Sequence, residues 1–214
     1  MTSFLLAFVV LSAPGIFGAA RFSRRYEETL PITVFSTIFL LYVFGLADML
    51  RAGFLLAVAL WAGLGCAGVF WAVARRRIRE TARLLLTPAA VFFAVFLAVI
   101  AMARLDFQVS EADEFNHWAR VAKTTFLSHK VSVYTPFHLA YRSYPPGASL
   151  LQYFVLSLRP KWNEAVLYYC QAMLYGTLFL PFLKRAQWRD AGSIVTILLL
   201  VPRRWFSFPF IVRS

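Results

Sequence analysis

The sequence predicts an all-α protein, a polytopic bundle of transmembrane helices, and three observations carry that prediction. Hydrophobic residues make up 60% of the chain and charged residues 15%, with a mean hydropathy of +0.66, which excludes an ordinary soluble globular domain. The apolar residues gather in runs close to the ~20 residues that a helix needs to cross the hydrocarbon core. The basic residues cluster between those runs, not along them.

Taken in order, runs 4–20, 30–49, 53–74, 84–103 and 164–183 are each long enough to span, the first only just. Pro14-Gly15 kinks the first run, which neighbouring helices can accommodate in a membrane. Met1-Thr2-Ser3 supplies no basic n-region. Although Gly18-Ala19-Ala20 looks like a small-residue cleavage site, the run reads as a retained first helix. Runs 148–158 and 191–201 are short. The first of these gains length from residues 145–147 and from snorkelling of Arg159 and Lys161. The expectation is about six to seven spans in one integral membrane domain over 1–214, with no repeat and no linker. After Leu200 the pattern collapses into Pro202-Arg203-Arg204-Trp205. The tail 203–214 reads equally as a native end or as a truncated or frame-shifted one.

A net charge of +12 invites a nucleic-acid reading. Its distribution argues against one, because the charges fall as Arg21, Arg24, Arg25 and as Arg75, Arg76, Arg77, Arg79, Arg83 between apolar runs. That is the pattern of cytoplasmic loops facing anionic headgroups, whereas nucleic acid needs a basic surface interleaved with exposed aromatics. With 75–83 in the cytoplasm, 21–28 lies there too, the 48–53 turn lies outside, and 104–147 is an extracytoplasmic loop of a bacterial cytoplasmic-membrane protein. If 148–158 spans, Arg159-Pro160-Lys161 returns to the inside and 164–183 runs outward. If it only dips in and returns, everything after it inverts. Asp48 and Glu164 are expected to reach headgroup water, and Trp118 and Trp162 to anchor at the interface. Cys66 and Cys170 read as small buried apolar residues, with neither a disulfide nor a metal site indicated.

The loop 104–147 holds Asp106, Glu111, Asp113 and Glu114, four of the ten acids, and all three histidines. Within it, 110–127 reads as a helix that Ser110 can cap, with Glu111, Asp113 and Glu114 at the positive end of its macrodipole. Phe115, Trp118, Ala122 and Phe126 recur on one side; Asp113, Asn116, His117 and Arg120 fall on the other. Such a helix lies along the headgroup boundary as an interfacial amphipathic element. Residues 128–143 read as an ordered loop, with His129 and His138 incidental. Acids at a helix start are often only caps, and Tyr144-Pro145-Pro146-Gly147 is first a punctuation mark before the next apolar run.

Asp113-Glu114-Phe115-Asn116-His117-Trp118, followed by Lys123 and by Tyr144-Pro145-Pro146-Gly147, resembles the first extracytoplasmic loop of the GT-C superfamily. These are polytopic glycosyltransferases that use polyprenyl-phosphate-linked sugars, and they include protein mannosyltransferases and aminoarabinose transferases. The resemblance covers the fourth run through 164–183. GT-C enzymes carry more spans, often a soluble C-terminal domain, and an acidic loop after the first helix; here the loop follows the fourth. The resemblance implies sugar transfer to an acceptor at the extracytoplasmic face. That chemistry needs a base and a partner for the leaving phosphate. Asp113 or Glu114 would be the base, with Asp113 facing away from Phe115 and Trp118, and His117 would orient it or share its proton. Arg120, Lys123 or Arg142 would meet the phosphate, an arginine being suited to bidentate contact, and Tyr144 joins them as a substrate-binding candidate. No cofactor follows. Asp113 and His117 at i,i+4, with Asp106 or Glu111, leave a divalent cation open, but two ligands do not make a site. The expected partners are the polyprenyl-phosphate sugar and membrane lipid, with no nucleic acid; oligomeric state is not legible. The alternatives are a non-enzymatic membrane protein, either a transporter or a handler of lipid-linked oligosaccharide, and a polysaccharide polymerase or ligase.

Overall fold

The computed structural model describes residues 2–105, 108–109, 118–135 and 145–188. Among these the chain forms eight α-helices and a closing 3-10 turn, with no strand. Helices α1 (Thr2–Phe22), α2 (Tyr26–Leu46) and α3 (Leu50–Ala74) are each long and apolar enough to cross a membrane. So is α8 (Ala165–Phe179) taken with the 3-10 turn Leu180–Leu183. A fifth candidate is the pair α4 (Ile78–Leu85) and α5 (Pro88–Ala103), bent by 57° at the break. Two short helices, α6 (Ala119–Ser128) and α7 (Gly147–Ser157), complete the described fold.

The helix ends follow from local chemistry. α1, α2 and α3 each stop where one residue turns left-handed: Ser23, Asp48 and Arg76, at φ 54°, 57° and 54°. Bonds such as Met49 N–H to Phe44 O (2.8 Å) and Arg77 N–H to Ala72 O (2.8 Å) then wrap back over the helix terminus, the role glycine usually fills. The expected run 84–103 is broken by Pro88, whose ring keeps Thr87 extended at ψ 160°. Thr87 caps α5 by accepting from Ala90 N–H at 3.1 Å, with Pro88 in the first turn where its missing donor costs nothing. α4 is left as a separate piece with Arg79 and Arg83 one turn apart and exposed.

α1 and α3 pack by small residues, as helices in lipid do. A Cβ on Gly68 would lie 2.4 Å from Phe17 N and 2.7 Å from Ile16 C, and one on Gly65 would lie 2.9 Å from Ala13 Cβ. The first run is therefore built into the bundle.

The end where α1 stops, α2 begins and α3 turns into α4 carries the arginine clusters and can be called the basic end. There Glu27 is fully buried, paired with Arg25 Nε at 2.8 Å and accepting Thr87 Oγ1–H at 2.8 Å. Glu28 takes Lys184 at 2.7 Å and Arg24 at 3.4 Å. Arg77 pairs with Glu80 and donates to Ser23 Oγ at 3.0 Å. α5 and α8 run antiparallel from this end: Thr87 meets Glu27, Phe93 meets Gly176, and Arg104 lies 5.5 Å over the Tyr168 ring.

That direction decides the open topology. Lys184, after α8, reaches Glu28 at the basic end, whereas Arg159 donates to Thr2 Oγ1 at 3.0 Å and Tyr169 Oη–H to Phe4 O at 3.1 Å at the opposite end. The segment 159–164 therefore shares its end with the start of α1. Residues 148–158 are not a full span. The eleven residues of α7 cover about half the hydrocarbon thickness at 1.5 Å per residue. α7 starts beside Ile38, well inside α2, and reaches Phe54 near the start of α3. Leu150 to Leu156 is buried on all sides by protein, which is what allows a helix to begin at membrane depth. Cys66 also departs from expectation: it is exposed, while Cys170 is buried.

Candidate functional site at the α6 end

α6 sits at the end opposite the arginine-rich turns. Ala119, Val121, Ala122, Thr124, Thr125 and Phe126 are buried, so most of its circumference is covered by protein, and it packs on α7. This differs from a helix lying free along the headgroups. Trp118, just before the helix, is 55% exposed and does not join the buried Ala122 and Phe126. Arg120 and Lys123 fall on the remaining open strip and are exposed.

Around them the side chains interlock. Lys123 Nζ lies 5.5 Å from the Trp162 ring centre, and Phe126 tilts against the same ring at 6.3 Å. Trp162 Nε1–H donates to Glu164 Oε1 at 3.4 Å, and Val109 N–H donates to Glu164 Oε2 at 2.8 Å. Trp162 and Glu164, both partly exposed, thus tie α8's start to the chain leaving α5.

Sequence reasoning passed over His129. It ends α6 in the left-handed region at φ 54°, its Nδ1 is 3.0 Å from Tyr153 Oη, and the two rings meet edge-on at 5.8 Å. Partial burial and the Arg51 guanidinium hold its imidazole below the usual value. Nearby, Lys130 pairs with Asp48 at 2.7 Å. No glycine marks this helix end, so the composition gives no sign of it.

Of the site residues expected from sequence, Arg120 and Lys123 are placed together on one exposed strip. Asp113, Glu114, His117, Arg142 and Tyr144 lie outside the described residues, as do Asp106, Glu111 and His138. Among the described residues no three His, Cys, Asp or Glu side chains gather as metal ligands. The described carboxylates at this end, Glu164 and Asp48, are both engaged. What the described arrangement offers is therefore cationic: Arg120 and Lys123 can take an anionic oxygen. Comparison with protein-family models, with curated proteins and with solved structures finds no match.

Proposed function

We propose that the protein is a membrane glycosyltransferase of the polyprenyl-phosphate-dependent kind, acting at the extracytoplasmic face of a bacterial cytoplasmic membrane. In this reading the arginine-rich end faces the cytoplasm, loop 104–147 lies outside, and the full chain crosses about six times, 148–158 entering from outside without crossing. Asp113 is the base, Glu114 its neighbour and His117 its orienting group, while Arg120, Lys123 and Arg142 receive the phosphate beside Tyr144. The observation that carries the reading is the exposed pair Arg120 and Lys123, held on a helix whose other faces are buried, at the end away from the arginine clusters. A transporter would set ionisable groups midway along its spans; among the described residues they gather at the two ends.

The test is turnover of a polyprenyl-phosphate sugar by the purified full chain in liposomes. Donor should be consumed, and Asp113→Asn should slow consumption by about a hundredfold or more, the usual worth of a general base. Arg120→Gln with Lys123→Gln should raise the donor concentration needed. No consumption by the unaltered chain overturns the reading, and full turnover by Asp113→Asn removes Asp113 as base. Sidedness is checked separately by Lys123→Cys in a Cys66→Ala background. Labelling only from the cytoplasmic side would reverse the orientation.

A further inference from the structure

We infer that the basic end holds a binding site for the phosphate of an anionic phospholipid, formed by Arg21, Trp71 and Arg75 where α1 and α3 end. Both guanidiniums lie over the same indole, Arg21 at 4.9 Å and Arg75 at 5.2 Å from its ring centre. Stacking on an aromatic fixes the plane of a guanidinium while leaving its N–H fork free. Two such forks held on one indole can take phosphate oxygens.

The neighbouring arginines show why these two are available. Arg25 is taken by Glu27, Arg24 by Glu28 and Arg77 by Glu80. Among the described residues no other carboxylate lies at this end, and Arg21 and Arg75 are given none. Within the described residues both are left for an anionic ligand.

The surroundings favour a lipid over a soluble anion. Phe22, whose ring lies 5.3 Å from the Arg21 guanidinium, is 58% exposed beside the site, and Phe70 and Val73 are exposed elsewhere around the same end of α3, apolar surface for acyl chains. On the adjoining turn α4 is set by Arg77, which reaches Ser23 Oγ and Ala20 O on α1. Its exposed Ile78 and Leu86 accompany exposed Arg79 and Arg83, and it bends away from α5 by 57°. An amphipathic piece of this kind lies in the headgroup layer, its arginines at phosphate level. Arg79 and Arg83 add field; Arg21 and Arg75 supply the seat.

The experiment is native mass spectrometry of the full chain in detergent, titrated with phosphatidylglycerol, with phosphatidylcholine, and with phosphatidylglycerol plus inorganic phosphate. Phosphatidylglycerol should bind at least tenfold more tightly than phosphatidylcholine. Arg21→Gln and Arg75→Gln should each weaken it about fivefold, the usual worth of one basic residue near an anionic surface. The double Arg→Lys variant keeps the charge, guards against misfolding, and should bind between the two. Arg185→Gln, at the same end, should leave affinity unchanged. Equal binding of the two lipids, undiminished binding by the double Arg→Gln variant, or displacement by millimolar phosphate would overturn the proposal.

Discussion

At the basic end Glu27 is fully buried between Arg25 and Thr87, whereas at the α6 end the Lys130–Asp48 pair stands largely in the open, Asp48 being 52% exposed. One end joins helix termini through Glu27, a carboxylate that has left water; the other joins them mainly by apolar packing of α6 and α7, with charges at the rim. Helices that must keep a fixed register gain from the first arrangement, since a buried charge tolerates only one geometry. A surface that must receive a ligand gains from the second, which leaves Arg120 and Lys123 exposed, the Lys123 ammonium over Trp162.

The largest effect that could break this contrast is at Glu27. Glu27→Ala leaves the buried Thr87 hydroxyl without its acceptor and Arg25, which keeps Lys184 O and Ala186 O, without its carboxylate, and should cost about 2 kcal/mol, the usual loss when a buried hydrogen-bond partner is removed. Asp48→Asn, which keeps a residue that accepts the left-handed turn, should cost under about 1 kcal/mol. Thermal unfolding in one detergent compares them directly, and equal losses would erase the difference between the ends.

Glycines sharpen the same contrast at the next scale. A methyl on Gly68 meets the α1 backbone at 2.4 Å, while one on Gly45 meets the Val131 side chain at the same distance. Backbone cannot turn aside, so Gly68→Ala should fall in the range of about 1–3 kcal/mol for overpacking, with Gly45→Ala below it. Gly63, with nothing within 4 Å, serves as the control: Gly63→Ala should gain up to about 1 kcal/mol from helix propensity. A thermal shift series across the three variants checks the order.

What was legible in the sequence follows the same division. The long apolar runs placed α1, α2, α3, α5 and α8 within a few residues, because lipid imposes a length and a polarity that leave their mark along the chain. α7 was ambiguous: an apolar stretch buried by protein looks like one buried by lipid, and Arg159 and Lys161 suit either end of a membrane. Only the pairing of Arg159 with Thr2 and of Lys184 with Glu28 fixes the direction. At the site, helical spacing put Arg120 apart from Ala122 and Phe126, as observed, but Trp118, just before the helix, is exposed and not buried with them. His129 and Glu27 gave no signal, since their roles depend on Tyr153 and Thr87, which are distant in sequence.

The capping turns give a smaller comparison. Arg76 and Asp48 both hold a left-handed conformation that costs a side-chain-bearing residue about 1 kcal/mol relative to glycine. Arg76→Gly should recover about that amount. Asp48→Gly should recover less, because it also gives up the Lys130 pair, worth at most about 1 kcal/mol at the surface. Equal gains in unfolding temperature would mean that the Lys130 pair contributes nothing.

The smallest effect is expected at His129, since its ring is exposed, and it separates the ends by pH. An imidazole held below its usual value of 6.5 stays neutral in the folded chain at pH values where the unfolded chain has already taken up the proton. Stability therefore declines as pH falls below about 6.5 and levels off once the folded imidazole also protonates. The unfolding midpoint should drop more between about pH 7 and 5 in the unaltered chain than in His129→Gln. Because burial and Arg51 cause the shift, Arg51→Gln should flatten part of that drop, while Tyr153→Phe should leave most of it. A slope that survives His129→Gln unchanged would have to arise somewhere other than this imidazole.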